Sequence, residues 1–397
     1  MPDNSPDGVA DPQPDFAAAT LLTRDDGFPF GAVVPPIYQS SLFTFEDYAA
    51  LEDAFAGRVR RPIYSRGDNP TVMEFERLVA GLEGAEAARG FASGMAAISA
   101  TVLSQAEAGD RILCVRHVYP DAYRLFRRLL PRFGIAVDFV DGTDPDAVVR
   151  ALPGAKLLYL ESPASWVFDM QDLPVIAAAA RDEGVVTVID NSYASPVFQQ
   201  PIRHGVDMVV HSASKYLSGH SDTVAGVVAG RRDLIDRVNE LTYPYLGGKL
   251  SPFEGWLLVR GMRTLPFRMR RHNDSGLEIA RRLADHPAVE RVLHPAFSNQ
   301  KGRATLNGFS GLFSFEVAGG VDVKRLVDAL KLFRIGVSWG GHESLVMPAL
   351  ATLRQAAEPN SAADFGVSPR IVRLHVGLEE PEDLWADLAR ALERATT

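Results

Sequence analysis

Residues 207–222 read Asp207-Met-Val-Val-His-Ser-Ala-Ser-Lys-Tyr-Leu-Ser-Gly-His-Ser-Asp222. An apolar stretch suited to a buried strand leads into the hydroxyls of Ser212 and Ser214, then Lys215, an aromatic and a Gly-containing exit. An amine placed behind buried β-structure is costly unless it is put to use, and forming a covalent link to an aldehyde cofactor is a leading use of such a lysine.

Outward from this stretch the pattern is regular. Short apolar strands are expected at Ile112–Val115, Val137–Val140, Leu157–Leu160, Val185–Ile189 and Met208–Val210. They alternate with helices through Phe75–Leu82, from Met95, over Tyr123–Leu130 and over Leu173–Arg181, with a Gly-rich turn at 88–94. Strands alternating with helices predict βαβ units around a mostly parallel sheet. Residues 253–283 read as helical. Beyond them, strands Leu312–Val317 and Val372–Val376 alternate with helices at 321–333 and 381–393, an α+β pattern. Residues 21–70 carry no sustained period and read as an outreaching arm, and the first 20 residues, rich in Pro and Asp, read as disordered. The expected division is an arm over 1–70, an α/β domain over 71–262 and a smaller α+β domain over 263–397.

The 397 residues are 46% hydrophobic with a net charge of −9, which suits a soluble globular protein and argues against nucleic acid as a partner. The arginines between Arg260 and Arg282 read as a helix face or subunit contact. Cys114 is the only cysteine, so an intrachain disulfide and a multi-thiolate metal site are excluded, and a cytoplasmic location is expected. Neither a signal peptide nor a run of membrane-spanning length is found, and the histidines lack metal-site spacing, so no membrane and no metal are expected.

An aldehyde cofactor such as pyridoxal phosphate (PLP) needs a lysine, an acid for its ring nitrogen, a stacking ring, a phosphate cradle and a clamp for the substrate carboxylate. Asp190 ends the apolar strand Val185–Ile189, where α/β proteins bind ligands, although an aspartate there can equally cap a turn. Ser93, Gly94 and Met95 stand where a turn enters a helix, a ready anion site to which Ser212 and Ser214 can add hydroxyls. Tyr119 follows a strand end and can cover a ring or fill core. Arg373, inside an apolar strand, must find an anion, either a substrate carboxylate or a structural acid.

These residues, in this order, resemble the Cys/Met-metabolism group of fold-type I PLP enzymes over about residues 30–395. The resemblance implies an α/β large domain with a mostly parallel sheet and a smaller α+β C-terminal domain. It also implies that Lys215 carries PLP, Tyr119 stacks on the ring and assists catalysis, and Asp190 holds the ring nitrogen. Tyr64-Ser-Arg66 looks like the arm motif that binds the phosphate, and also substrate, in a neighbouring subunit, which implies at least a dimer and usually a homotetramer. Arg373 would hold the substrate carboxylate, with Ser338, Trp339 and Ser165 in the same pocket. Ser165 stands where most relatives carry asparagine, and Trp339 where γ-acting relatives carry leucine, so the sequence reads closest to the bacterial cystathionine β-lyases. The expected reaction is β-elimination of L-cystathionine to homocysteine, pyruvate and ammonia.

The alternative within the family is a γ-acting enzyme: cystathionine γ-synthase, cystathionine γ-lyase, methionine γ-lyase or an O-acyl-homoserine sulfhydrylase. From another class, Gly336-Val-Ser-Trp-Gly340 fits a nucleophile elbow, with Asp364 and His375 in the order of a hydrolase triad around Ser338. A non-catalytic binding protein on the same fold is the remaining alternative.

Overall fold

Seven segments between residues 87 and 230 assemble into one sheet in the computed structural model, which describes residues 17–24 and 27–396. They are β1 (Ala87–Phe91), β2 (Arg111–Val115), β3 (Ala136–Val140), β4 (Leu157–Glu161), β5 (Val186–Asp190), β6 (Met208–His211) and β7 (Gly226–Gly230). The order is β1-β7-β6-β5-β4-β2-β3; β6, β5, β4, β2 and β3 run parallel, and β7 is antiparallel to both its neighbours. The runs Leu157–Leu160 and Met208–Val210 are completely buried, as strands covered by helices on both faces must be. Parallel pairing brings the strand ends to one edge, where Glu161 and Asp190 are register partners.

The helices α1 (Ala18–Thr23), α2 (Tyr48–Phe55), α3 (Pro70–Glu83), α4 (Gly94–Gln105) and α5 (Pro120–Arg124) precede β4. Asn69 caps α3, accepting from Thr71 N at 3.0 Å, and Pro70 opens it where a missing N–H costs nothing.

A second sheet is built from β8 (Val289–Leu293), β9 (Leu312–Val317), β10 (Arg334–Ile335), β11 (Leu345–Pro348) and β12 (Ile371–His375), in the order β10-β11-β12-β9-β8. Only β10 and β11 pair in parallel. Phe313, Phe315, Leu374, Leu384 and Leu388 join its face to the helix Pro381–Thr396 in one apolar core.

Several expectations need correction. The turn expected at 88–94 is largely strand β1, where Gly90 lies close against Val72 of α3 and Leu250; packing against α3 overrides its turn tendency. The helix expected over 253–283 is two helices, Pro252–Met262 and Leu265–Ala284, since Pro266 lacks the N–H needed to continue the first. The helix over Tyr123–Leu130 starts earlier as α5 and widens into a π-helical turn, Leu125–Leu129. The helix expected at 321–333 is confined to Val323–Ala329. In the arm, α2 breaks the expected aperiodic course, capped by Asp47 accepting from Ala50 N at 2.8 Å. Of the 20 residues expected to be disordered, the first 16 lie outside the described ones, and Ala18–Thr20 already belong to α1. Among the described residues no helix is long and apolar enough to cross a membrane.

The arginine segment serves structure. Arg268 donates to the carbonyls of Tyr216 and Gly261, and Arg282 pairs with Glu278 and Glu382.

The tightest approach of a glycine to backbone lies where β7 passes α4: a Cβ on Gly226 would come within 2.2 Å of the Ser93 carbonyl oxygen. Backbone cannot yield as a flexible side chain does, so Gly226→Ala is expected to destabilise the protein by about 2 kcal/mol or more. Chemical denaturation checks the loss; unchanged stability would show that β7 and α4 can separate freely.

Candidate active site

The C-terminal ends of the parallel strands and the face of the second sheet enclose a cavity of about 660 Å³. All the sequence-predicted site residues line it except Tyr64 and Arg66.

The floor is acidic. Asp190 and Glu161, both buried, end neighbouring strands. Asp190 Oδ1 accepts from Ser192 N at 2.9 Å. Glu161 accepts from Tyr119 N at 2.7 Å through Oε2 and from the Ser165 hydroxyl at 2.6 Å through Oε1. Burial raises both carboxyls above the usual range, and for Glu161 the adjacent Asp190 adds to it. Among the described residues neither forms an ion pair; Lys215 and His211 act on Asp190 only from beyond ion-pair distance.

At one side is the start of α4. Ser93 caps it, its hydroxyl oxygen accepting from Ala96 N at 3.0 Å, and the N–H groups of the first turn face the cavity with the positive end of the helix dipole. A side chain on Gly94 would meet Ser212 Cβ at 2.9 Å, so only glycine lets helix and lysine segment approach this closely. Ser212 faces this turn as expected. Ser214 also lines the cavity, its hydroxyl accepting from Ala225 N at 2.9 Å and donating to Ala225 O at 3.2 Å.

Lys215 sits between floor and wall. Its Nζ donates to the Ser338 hydroxyl and lies 5.5 Å from the centre of the Trp339 ring. Burial, with help from Arg373, lowers its amine to about 8, against the opposing pull of Asp190. A neutral amine is therefore accessible near physiological pH. Ser338 holds a left-handed backbone, φ 80°, and Gly340 follows at φ 93°, where a Cβ would fall 2.9 Å from the Lys215 backbone. The loop 338–341 thus lies directly on the lysine turn.

The opposite wall carries a cation without an acid. Arg373, half-buried at the centre of β12, has a guanidinium 5.2 Å from the Trp166 ring centre and within 3.5 Å of only the Ser338 carbonyl. Burial lowers it to about 10, and among the described residues no carboxylate lies within ion-pair distance. The structural-acid explanation of Arg373 therefore falls. Tyr119 flanks the cavity, its hydroxyl donating to Asp121 at 3.0 Å, and burial followed by Asp121 pushes the phenol up to about 12.

Tyr64 and Arg66 stand on the arm outside this cavity, the guanidinium stacked 5.1 Å from the Tyr64 ring centre. The hydrolase triad does not assemble. Ser338 binds Lys215, His375 Nε2 accepts from Gly340 N at 3.1 Å, and Asp364 accepts from Tyr123 Oη at 2.6 Å.

Glu161, Trp166, Met347 and Glu343 also line the cavity and were not singled out as site residues. The signal that found Asp190, a carboxylate ending an apolar strand, applies equally to Glu161.

The profile of the Cys/Met metabolism PLP-dependent enzymes matches residues 18–393. The L-methionine gamma-lyase of Pseudomonas putida is 38% identical over 91% of this chain and 93% of its own length. The cystathionine gamma-lyase of Bacillus subtilis is 36% identical over 91% of this chain and 95% of its own. A crystal structure of cystathionine gamma synthase from Xanthomonas oryzae pv. oryzae, in complex with aminoacrylate and cysteine, superposes with a TM-score of 0.89 at 34% identity, covering 96% of this chain and all of that one (100%). The charges left without partners around Lys215 and the near full-length match lead to one assignment: the chain belongs to the Cys/Met metabolism PLP-dependent enzyme family, on its fold-type I architecture.

Proposed function

We propose that the protein is a γ-acting carbon–sulfur lyase, removing a thiol from Cγ of a sulfur amino acid such as L-methionine or L-cystathionine. The observation that carries the reading is Arg373, a guanidinium without an acid, across one cavity from the amine of Lys215. The γ assignment is supported by the relatives, whose names are methionine gamma-lyase and cystathionine gamma-lyase.

The site suits PLP in charge and shape. The acidic floor, which has no ion-pair partner among the described residues, matches a protonated ring nitrogen, and the Gly94 turn matches a phosphate. Lys215 would hold the aldehyde carbon, Asp190 the ring nitrogen, Gly94, Met95 and Ser212 the phosphate, and Tyr119 one face of the ring. The arm residues Tyr64 and Arg66 would reach the phosphate in a second copy, a role supported by their place outside their own cavity and by the exposed apolar side chains Phe30, Val33 and Phe55. The active unit is then a dimer or a tetramer of such dimers.

When bound, PLP supplies an electron sink conjugated to the substrate α-carbon. Arg373 grips the α-carboxylate in its planar fork. Lys215 would serve as the base: its free amine would take the Cα proton, hand that proton on, and so be free again to take a Cβ proton along the Ser338 and Trp339 wall. The phenol of Tyr119, high in pKa, keeps its proton and serves as a donor to the departing sulfur. With water, cystathionine yields cysteine, 2-oxobutyrate and ammonia.

The second reading is β-elimination, favoured by Trp339 beside Nζ and by Ser165 on the floor. It needs only the Cα proton and gives homocysteine, pyruvate and ammonia.

Purified protein is expected to be yellow, with borohydride fixing the cofactor to Lys215, and cystathionine is expected to give 2-oxobutyrate with cysteine. Pyruvate with homocysteine as the main products would establish the β reading, and colourless protein indifferent to added PLP would remove both. Arg373→Lys is expected to raise KM about 100-fold with a smaller change in kcat, because an ammonium cannot grip both oxygens. An unchanged KM would take the carboxylate away from Arg373. Cofactor uptake by the apoprotein, followed by absorbance, is expected to accelerate as pH rises through about 8 and then level off, since only the neutral amine attacks. A rate that falls with pH over that range would exclude Lys215 as the attacking group.

A further inference from the structure

We propose that Glu161 is a positioning residue of the site, a second acid of the cofactor floor that fixes Tyr119 and Ser165 and reinforces the negative charge of Asp190. The proposal rests on the reading that PLP occupies this cavity.

The geometry of Glu161 is that of a hub. One carboxylate oxygen accepts the backbone N–H of Tyr119 at 2.7 Å, and this residue immediately precedes α5 and would carry the stacking ring. The other accepts the Ser165 hydroxyl at 2.6 Å, which ties down the loop after β4. The Cα of Glu161 is in register with that of Asp190 on the adjacent strand. One side chain thus touches the ring-covering element and the substrate-side loop and neighbours the ring-nitrogen acid.

Two buried carboxylates side by side repel, and removing both from water without a cation is strongly unfavourable. A purely structural site could use an amide, which keeps one of the two accepted hydrogen bonds and avoids the buried charge. Keeping two acids makes sense where a cation is to be held between them and solvent is excluded, as a protonated ring nitrogen would be. The titratable groups facing Glu161 are Asp190 from β5, Cys114 from β2 and Tyr159 from its own strand; none is cationic.

Ser165 gains a defined part in this arrangement. Its hydroxyl proton goes to Glu161, so it braces the floor and does not extend into the cavity as a free donor.

The test uses the PLP-loaded enzyme and Glu161→Gln, which keeps size and one acceptor but loses the charge and the second acceptor. Loading on Lys215, shown by borohydride trapping and mass spectrometry of parent and variant, tests the PLP reading separately. The variant is expected to load, to lose kcat about tenfold or more with KM within a few-fold, and to titrate its visible cofactor band at lower pH, because one nearby negative charge has gone. Should Glu161→Gln fail to fold, Ser165→Ala removes one donor from the same carboxylate and is expected to move kcat and the midpoint in the same directions by less. A loaded variant with kcat within about threefold of the parent and an unmoved midpoint overturns the proposal.

Discussion

Opposite charges held apart in one cavity, each without a partner from the chain, are the constraint on which the site depends. The floor has two acids and no ion-pair partner; the wall has a guanidinium and no acid. Each is unfavourable in isolation, and the protein core must be stable enough to carry them. That stability comes from strands β4, β5 and β6, buried on both faces, whose ends fix the acids to within the play of a packed sheet. The second sheet does the same for Arg373, which is flanked in register by Met347 and Ser314. Rigid elements, and not loops, therefore set the separation of the charges a zwitterionic amino acid and its cofactor would bridge.

Much of this was legible in the sequence because the same residues satisfy local and distant requirements together. Continuous apolar runs gave β2, β4, β5 and β6, and the polar residue at the end of a run marked the functional edge. Lys215, Asp190, Tyr119, Gly94 and Arg373 could be found by that logic, and they meet around one cavity. What escaped was decided by contacts between distant segments. Gly90 looks like a turn residue, yet it lies in strand β1, packed against Val72 of α3. Ser214 also lines the cavity, but its hydrogen bonds to Ala225, eleven residues further along the chain, are a contact no local motif displays.

 The resemblance to β-lyases rested on a few positions, Trp339 and Ser165 foremost, whereas the relatives are named gamma-lyases; a few side chains around the cavity do not fix which bond is broken.

The two sheets contribute unlike things. The first supplies fixed acids and a helix start, which suit a resident cofactor whose charges do not change from one substrate to the next. The second supplies Arg373 and the loop 338–341, which meet whatever enters. A division of this kind allows the substrate side to vary among relatives while the cofactor side keeps its geometry.

The contact of Gly340 with the backbone of Lys215 sets a limit on that variation. With no room for even a methyl group between them, the loop and the lysine turn behave as meshed gears. An engineer who exchanges Trp339 for a smaller residue changes the shape of the pocket, but any exchange that alters the path of residues 338–341 also re-aims the amine. New specificity in this scaffold is therefore best sought by transplanting the loop with its glycines intact, or by leaving the loop alone and working from Trp166 and Met347 on the far side of the cavity.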